Sequence, residues 1–210
     1  MTRVLVCAHR GLPSAREQEN TMIAFRAAVE AGADMIEADV RRGRDGDLVL
    51  SHGRIAAGAR PARLSELLEL AAGRIALDLE LKEPGIEAAL LAAVEPRPAG
   101  LVVTSFLPSV LEELSRLDPE LPTGLLVRPG TPPADVPAIA AGCGAHLVCP
   151  HHSLVDGELG DWARVERRPL LVWTVNKSRP LRRFLDDPAV GIVVTDRVQL
   201  ARAILNGSRG

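Results

Sequence analysis

The sequence predicts a (β/α)8 barrel, or TIM barrel, in which eight parallel strands close on themselves and a helix follows each strand. Short apolar runs rich in Val, Leu and Ile are continuous in the way that strands buried on both faces are. Helical stretches separate these runs in strict alternation, and the count of runs reaches eight. Regular alternation to this count favours a closed parallel barrel over an open doubly wound sheet.

The elements follow one another along the whole chain. The predicted strands are residues 4–8, 35–40, 75–81, 101–106, 124–127, 145–149, 170–175 and 191–195. The predicted helices between and after them are residues 21–31, 64–72, 85–94, 108–117, 136–141, 158–167, 178–185 and 198–205.

One segment after the second strand interrupts the alternation. Residues 41–44 are followed by Asp45-Gly46 and then by a strand-like run at 48–51. An Asp-Gly pair between two such runs is a strong hairpin signal. We therefore expect the second strand to continue into a small β-hairpin before the second helix.

Length and composition indicate a globular protein with one domain, residues 1–210. Apolar residues make up 47% and charged residues 25%, and the net charge of -2 gives no basic excess that would indicate a nucleic-acid partner. The first predicted strand begins close to the initiator Met, and it is too short for a signal-peptide core or a membrane span. We expect a cytoplasmic protein without stable membrane insertion, whose odd number of cysteines, Cys7, Cys143 and Cys149, are buried free thiols.

Unusual polar residues fall at the carboxyl ends of the first two strands, where barrel enzymes carry their working residues. His9 and Arg10 directly follow the first strand. Glu37 and Asp39 are two apart on the second strand, so strand alternation puts both side chains on one face. Taken alone, a Glu-x-Asp pair is more often a solvated strand edge than a site.

The third strand supplies complementary groups. It ends with Asp78, Glu80 and Lys82 alternating with leucines, and inward charges there would be costly without partners. Three carboxylates, from Glu37, Asp39 and Glu80, suit a hard cation such as Mg2+ or Ca2+, and the soft ligand set that zinc prefers is missing. Arg10 and Lys82 are donors suited to holding a phosphate beside that metal.

His52 follows the hairpin and could fold over the same open end of the barrel, where the carboxyl ends of the strands lie. A lone histidine is more often structural, but His9 and His52 together offer one group to take a proton and another to protonate a leaving oxygen. His151 and His152 follow the sixth strand, and we interpret them as rim residues.

These residues occur as an ordered series of short motifs. The series resembles that of the glycerophosphodiester phosphodiesterase family over nearly the whole chain: His9-Arg10-Gly11, Glu19-Asn20-Thr21, residues 32–40, Asp45-Gly46, His52, Glu80-Leu81-Lys82, Ser105-Phe106, Trp173 to Asn176, and Thr195-Asp196. Each motif is weak by itself, whereas their ordered combination is specific.

The resemblance implies a phosphoric diester hydrolase that cleaves glycerophosphodiesters to glycerol 3-phosphate and an alcohol. In family terms, the three carboxylates would bind Mg2+ or Ca2+, His9 and His52 would form the acid–base pair, and Arg10 and Lys82 would hold the phosphate. Trp173 would line the substrate pocket. The substrate's own glycerol hydroxyl would attack first, through a cyclic phosphate that water then opens. Because the chain has no Tyr to build an aromatic cage for choline, we expect it to accept several alcohol groups.

Two departures from the family pattern keep alternatives open. Gly53 follows His52 where the family usually has Asp, which removes an orienting partner for the imidazole. Only 27 residues separate His52 from Glu80, where many relatives carry a sizeable insertion, and residues 54–63 look like a bare loop. The mouth would then be more open, or a second subunit of a homo-oligomer would close it. The alternatives are a lyase of the phospholipase D toxin type, which stops at the cyclic phosphate, and a degenerate barrel that binds a phosphorylated ligand without turnover.

Overall fold

The computed structural model describes residues 3–13 and 19–207. Its elements within these ranges are, in chain order, β1 (Leu5–Ala8), α1 (Met22–Glu30), β2 (Met35–Arg42), β3 (Leu48–Leu50), α2 (Leu64–Ala71), β4 (Ala76–Leu81), α3 (Glu87–Ala93), β5 (Val102–Ser105), α4 (Pro108–Leu117), β6 (Thr123–Val127), α5 (Val136–Gly142), β7 (Leu147–Pro150), α6 (Glu158–Val165), β8 (Leu170–Val172), α7 (Ser178–Asp186), β9 (Val190–Thr195) and α8 (Val198–Gly207).

The strands other than β3 close into a parallel barrel. Each pairs with its neighbour in the order β1-β9-β8-β7-β6-β5-β4-β2, and β1 also pairs with β2, which completes the ring. The predicted (β/α)8 fold is confirmed. No helix in the described part of the chain is long and apolar enough to cross a membrane.

The predicted hairpin is also present. β3 runs antiparallel to the end of β2, with Val40 opposite Leu50, and the tight turn between them contains Gly46 at φ +92°. After β3, residues 53–62 form a loop without helix or strand, as predicted for the shortened insertion. The same loop returns to the ribbon through a bridge between Val49 and Arg63.

The seventh barrel strand is shorter than predicted. β8 ends at Val172, and Trp173 is joined only by an isolated bridge to His151, although residues 170–175 form a continuous apolar run. The apolar run extends beyond the end of the strand to Val175. This residue is buried, and its backbone N–H donates to Val194 O at 2.9 Å. Hydrophobicity therefore marks burial here and does not mark where strand pairing stops.

The barrel interior is packed with side chains of small or medium size. Those inside the ring are Cys7, Met35, Val102, Leu126, Cys149, Leu171, Ile192 and Val194. Gly124 is required in this layer, because a Cβ there would lie 2.6 Å from Cys149 Sγ. A second and larger apolar cluster lies between the strands and the helices. The three cysteines are buried free thiols, as predicted.

The register of β2 and β4 positions the site. Glu37 is paired with Asp78, and Asp39 is paired with Glu80. Residues two apart on a strand share a face, so all four carboxylates lie on the inner face near the carboxyl end of the barrel. The polar layer therefore lies directly above the apolar interior.

Candidate active site

A cavity of about 450 Å³ opens at the carboxyl end of the barrel. Its lining includes all of the predicted site residues except Asp39, which is fully buried. The lining residues from the predicted set are His9, Arg10, Glu37, His52, Glu80, Lys82 and Trp173. The structure thus brings the residues predicted from five separate sequence segments to one place.

The three predicted metal ligands converge. One carboxylate oxygen from each of Glu37, Asp39 and Glu80 lies within 4.8 Å of the others, and all three residues are buried. Glu37 also accepts a hydrogen bond from the backbone N–H of Arg10 at 2.8 Å. This cluster is the only group of three or more metal-binding side chains with such spacing among residues 3–13 and 19–207.

Buried negative charge raises the pKa of most of this layer. Burial, reinforced by the charges of Asp39 and Glu80, raises the pKa of Glu37 well above its ordinary value. Asp78 is only 1% exposed. Burial raises its pKa to about 7, although the Thr104 hydroxyl donates a hydrogen bond to it at 2.7 Å. The carboxylates repel one another, and bound cations would relieve that repulsion.

Asp39 is the exception, because it is surrounded by donors. Its Oδ2 accepts from Asn20 Nδ2 at 2.8 Å and lies 3.0 Å from Arg10 Nε. Its Oδ1 lies 3.1 Å from Lys82 Nζ and 3.2 Å from His52 Nδ1. Burial opposes ionisation, but the hydrogen bond from His52 and the two positive charges outweigh it and hold the pKa of Asp39 far below its usual range. Asp39 is therefore the permanently charged member of the layer.

Arg10 occupies a turn with an unusual backbone. Its φ is +55°, and Gly11 follows at φ +83°. Only glycine fits at position 11, because a Cβ on Gly11 would lie 2.7 Å from the backbone of Ala24. This turn directs the Arg10 N–H towards Glu37, and its Nη1 donates to Glu19 at 3.1 Å. Arg10 is therefore held by carboxylates as well as lining the cavity.

Lys82 also contacts the carboxylate layer. Its Nζ lies 2.6 Å from Glu80 Oε1, and its side chain is only 11% exposed. Burial raises the pKa of Glu80, while the adjacent ammonium of Lys82 partly offsets that rise. The ammonium thus offsets carboxylate charge at the edge of the cluster.

Both predicted histidines are held through Nδ1. His9 Nδ1 lies 2.8 Å from Asp196 Oδ1, and Asn176 Nδ2 donates to the other oxygen of Asp196 at 2.5 Å. His52 Nδ1 meets Asp39. No hydrogen bond to the Nε2 of either ring is found within the described ranges, so both can serve a ligand in the cavity. A carboxylate behind the imidazole fixes its tautomer and the orientation of its ring.

The partner of His52 corrects the expectation drawn from Gly53. The sequence suggested that the imidazole lacks a neighbouring carboxylate, but Asp39 supplies one from β2. The antiparallel ribbon folds back on that strand, and Ser51 N–H donates to Asp39 O at 2.9 Å. Arg41 fixes the same turn, since its Nε and Nη2 donate to His52 O at 3.3 and 3.1 Å and its Nη1 donates to Glu83 at 2.8 Å.

An aromatic wall completes the cavity. Trp173 Nε1 donates to Cys149 O at 2.7 Å, and its ring meets Phe106 edge to face with centroids 5.4 Å apart. The guanidinium carbon of Arg128 lies 3.9 Å from the Phe106 centroid. His151 contacts the other side of this wall, with its ring 5.1 Å from Trp173, and it lies outside the cavity lining.

Sequence reasoning missed several residues of this site. Asp196, Asn176, Asn20 and Phe106 appeared only within matched motifs, without a role. For Asp196 the signal was present, since it is a polar residue directly after a barrel strand. Arg128 also follows a strand, but an exposed arginine in a loop is too common to be recognised from sequence alone.

Comparison with known proteins agrees with the geometry. Residues 9–67 match the sequence profile of the Glycerophosphoryl diester phosphodiesterase family, and the matched segment contains His9, Glu37, Asp39 and His52. A glycerophosphodiester phosphodiesterase of Caldanaerobacter subterraneus subsp. tengcongensis is 27% identical, and the match covers 98% of this chain and 99% of that protein. These comparisons confirm the resemblance to the glycerophosphoryl diester phosphodiesterase family that the motif series indicates.

Solved structures resemble the chain over the full barrel. The glycerophosphodiester phosphodiesterase of Thermotoga maritima is 25% identical, with a TM-score of 0.77 over 97% of this chain and 99% of that one. An Oleispira antarctica phosphodiesterase in complex with the product sn-glycerol-3-phosphate superposes with a TM-score of 0.83 over 96% of both chains, at 20% identity. The second comparison bears on the fold alone.

Proposed function

We propose that this protein hydrolyses glycerophosphodiesters to glycerol 3-phosphate and an alcohol, with a divalent metal and two histidines. The observation that carries the proposal is the placement of a buried carboxylate cluster and two carboxylate-held imidazoles around one cavity. The full-length glycerophosphodiester phosphodiesterase of Caldanaerobacter subterraneus, which is 27% identical to this chain, supports the same reaction class.

The carboxylate cluster fits a hard divalent cation. Glu37, Asp39 and Glu80 would hold it, because their oxygens converge and the pKa of Glu37 and Glu80 is raised by burial and mutual repulsion. An all-oxygen set of this kind favours Mg2+ or Ca2+ over zinc. A bound cation would supply charge neutralisation for the phosphate of the substrate.

The chain's own residues provide the remaining functions. Arg10 and Lys82 line the cavity beside the carboxylates and would hold the non-bridging phosphate oxygens. His9 and His52 would present Nε2 to the substrate, one accepting a proton from the attacking hydroxyl and the other protonating the leaving alkoxide. Asp196 and Asp39 would stabilise the imidazolium forms, and Trp173 would line the pocket beside the substrate.

The product decides between this hydrolase and the alternatives. We expect phosphorus NMR to show conversion of glycerophosphoethanolamine and glycerophosphoglycerol to glycerol 3-phosphate when Mg2+ or Ca2+ is present. The double variant His9→Ala/His52→Ala is the control and should leave both substrates intact. A cyclic phosphate as end product would make the protein a lyase, and the absence of turnover with every substrate and metal would identify a binding protein.

A further inference from the structure

Arg128 places an additional cation on the aromatic wall. It directly follows β6 and lines the cavity, with its guanidinium carbon 3.9 Å from the centroid of the Phe106 ring. Phe106 lines the same cavity, and its ring is in turn held by the edge-to-face contact with Trp173. The guanidinium therefore rests on a ring that is itself packed in place.

Within residues 3–13 and 19–207, the charge of Arg128 is not neutralised by a protein carboxylate. Arg10 and Lys82 each contact Asp39, whereas no ion pair of Arg128 occurs among the carboxylates of residues 3–13 and 19–207. Stacking covers one face of a guanidinium and leaves its N–H groups free to donate at the edge. Arg128 can thus offer several donors and a full positive charge to a ligand.

The position of this charge relative to the reacting phosphate follows from Phe106. Lys82 Nζ lies 5.9 Å from the centroid of the same ring that Arg128 covers. A diester phosphate bound at Lys82 therefore has the Phe106–Arg128 pair next to one of its two substituents. The same pair makes a poor site for a quaternary ammonium, because a guanidinium already occupies the Phe106 ring and repels a second cation.

We propose that Arg128 determines substrate specificity by selecting phosphodiesters whose alcohol carries a second anionic group, such as a phosphate monoester. The inference rests on the proposed function and adds the charge class of the alcohol to it. Alcohols with a trimethylammonium group are disfavoured for the same reason.

A matched pair of substrates tests the proposal. Glycerophosphoinositol and glycerophosphoinositol 4-phosphate differ in one phosphate, and the ratio of their kcat/KM values measures how that phosphate is recognised. We expect the wild-type protein to prefer the phosphorylated compound. Arg128→Gln should reduce this ratio by about 3- to 30-fold, as expected for unit charges several ångströms apart at a partly solvated site. Arg128→Lys should restore part of it, and added salt should shrink the wild-type preference.

Controls separate this inference from the proposed function. Arg168→Gln removes an exposed arginine just before β8, at the opposite end of the barrel, and should leave the ratio unchanged. Equal ratios for wild type and Arg128→Gln would overturn the role of Arg128 while leaving the hydrolase intact. If these two compounds, glycerophosphoethanolamine and glycerophosphoglycerol are all left intact, the proposed function fails. The dissociation constants of the two inositol compounds, measured on His9→Ala and on the double variant His9→Ala/Arg128→Gln, then still test the role of Arg128.

Discussion

Asp39 and Asp78 lie on neighbouring strands with their side chains in one buried layer, yet their protonation differs because of their partners. Asp39 contacts two positively charged side chains and two further hydrogen-bond donors, which hold its pKa far below the ordinary range. Asp78 accepts a hydrogen bond from the Thr104 hydroxyl, and burial raises its pKa to about 7. The first carboxylate can anchor charged groups at any physiological pH, whereas the second destabilises the metal-free fold when it ionises.

The protonation of Asp78 predicts a pH dependence of stability. Its folded-state pKa lies above the unfolded value of about 4, so the folded state binds more protons between about pH 4 and pH 7, and the free energy of unfolding falls as pH rises through that window. Asp78→Asn should flatten this slope in the metal-free protein and should raise stability at pH 8 by on the order of 2–4 kcal/mol.

Urea unfolding in the presence of EDTA at pH 4 to 8 measures the effect of Asp78→Asn. Asp161→Asn serves as the control, because the side chain of Asp161 is 75% exposed and pairs only with Arg164 on its own helix. A slope equal to that of wild type in Asp78→Asn would show that Asp78 is not the titrating group.

The two histidines should be essential for catalysis and dispensable for folding. The side chains of His9 and His52 are 23% and 47% exposed, so His9→Ala and His52→Ala should leave the melting temperature almost unchanged. Loss of a general acid or base should lower kcat by about 10²–10⁴. His146→Ala is the matched control, since His146 contacts Thr123 at the amino end of β6. Near-normal kcat in either active-site variant would remove that histidine from the mechanism.

At the scale of elements, the β2–β3 ribbon positions His52. It carries His52 from the end of β3 back to Asp39 on β2, and Arg41 ties the carbonyl of His52 to Glu83 after β4. A short ribbon can therefore hold the His52 side chain at the cavity, because these contacts fix its backbone.

Removal of the Arg41 contacts should affect the rate through His52. Arg41→Ala should lower kcat by about 10-fold with a smaller change in KM, since hydrogen bonds from a charged donor contribute about 1.5–3 kcal/mol. Arg44→Ala serves as the control, because Arg44 is an exposed residue in the turn of the same ribbon. If Arg41 acts by positioning His52, Arg41→Ala should not lower kcat any further in a His52→Ala background. An additive loss of kcat in that background would refute this role.

At the scale of the whole molecule, we expect stability to depend on a bound cation, because the cluster of Glu37, Asp39 and Glu80 would hold one. A ligand that binds only the folded state raises the free energy of unfolding by about 2.7 kcal/mol when its concentration is 100 times its dissociation constant. For a chain of this size, that increase raises the melting temperature by about 5–10 °C. We therefore expect saturating Mg2+ or Ca2+ to raise the melting temperature by this amount, and we expect Glu80→Gln to abolish most of the rise.

Thermal unfolding with and without EDTA provides the measurement for the metal prediction. Glu113→Gln is the control, because Glu113 is a surface carboxylate of α4 that pairs with Arg116. An unchanged metal shift in Glu80→Gln would exclude Glu80 as a ligand, and the absence of any shift in wild type would contradict a resident divalent cation.

The sequence by itself determined the barrel and most of the site. Eight apolar runs in strict alternation with helices are sufficient for the fold, because continuous hydrophobic strands must be buried on both faces. Strand alternation placed Glu37 with Asp39, and the end-of-strand position marked His9, Arg10 and Lys82. These are local properties of the chain, and they were therefore readable without coordinates. The carboxyl end of β8 could not be predicted from the sequence, because buried residues continue beyond the point where strand pairing stops.

Only the tertiary structure decided which side chains become partners. His9 and Asp196 are 187 residues apart and meet because the barrel closes between β1 and β9. Asp39 replaces the carboxylate missing at Gly53 because the ribbon folds back onto β2. Such contacts depend on side-chain directions across strands that are distant in sequence, and a single sequence carries no signal for those directions beyond the parity of each strand.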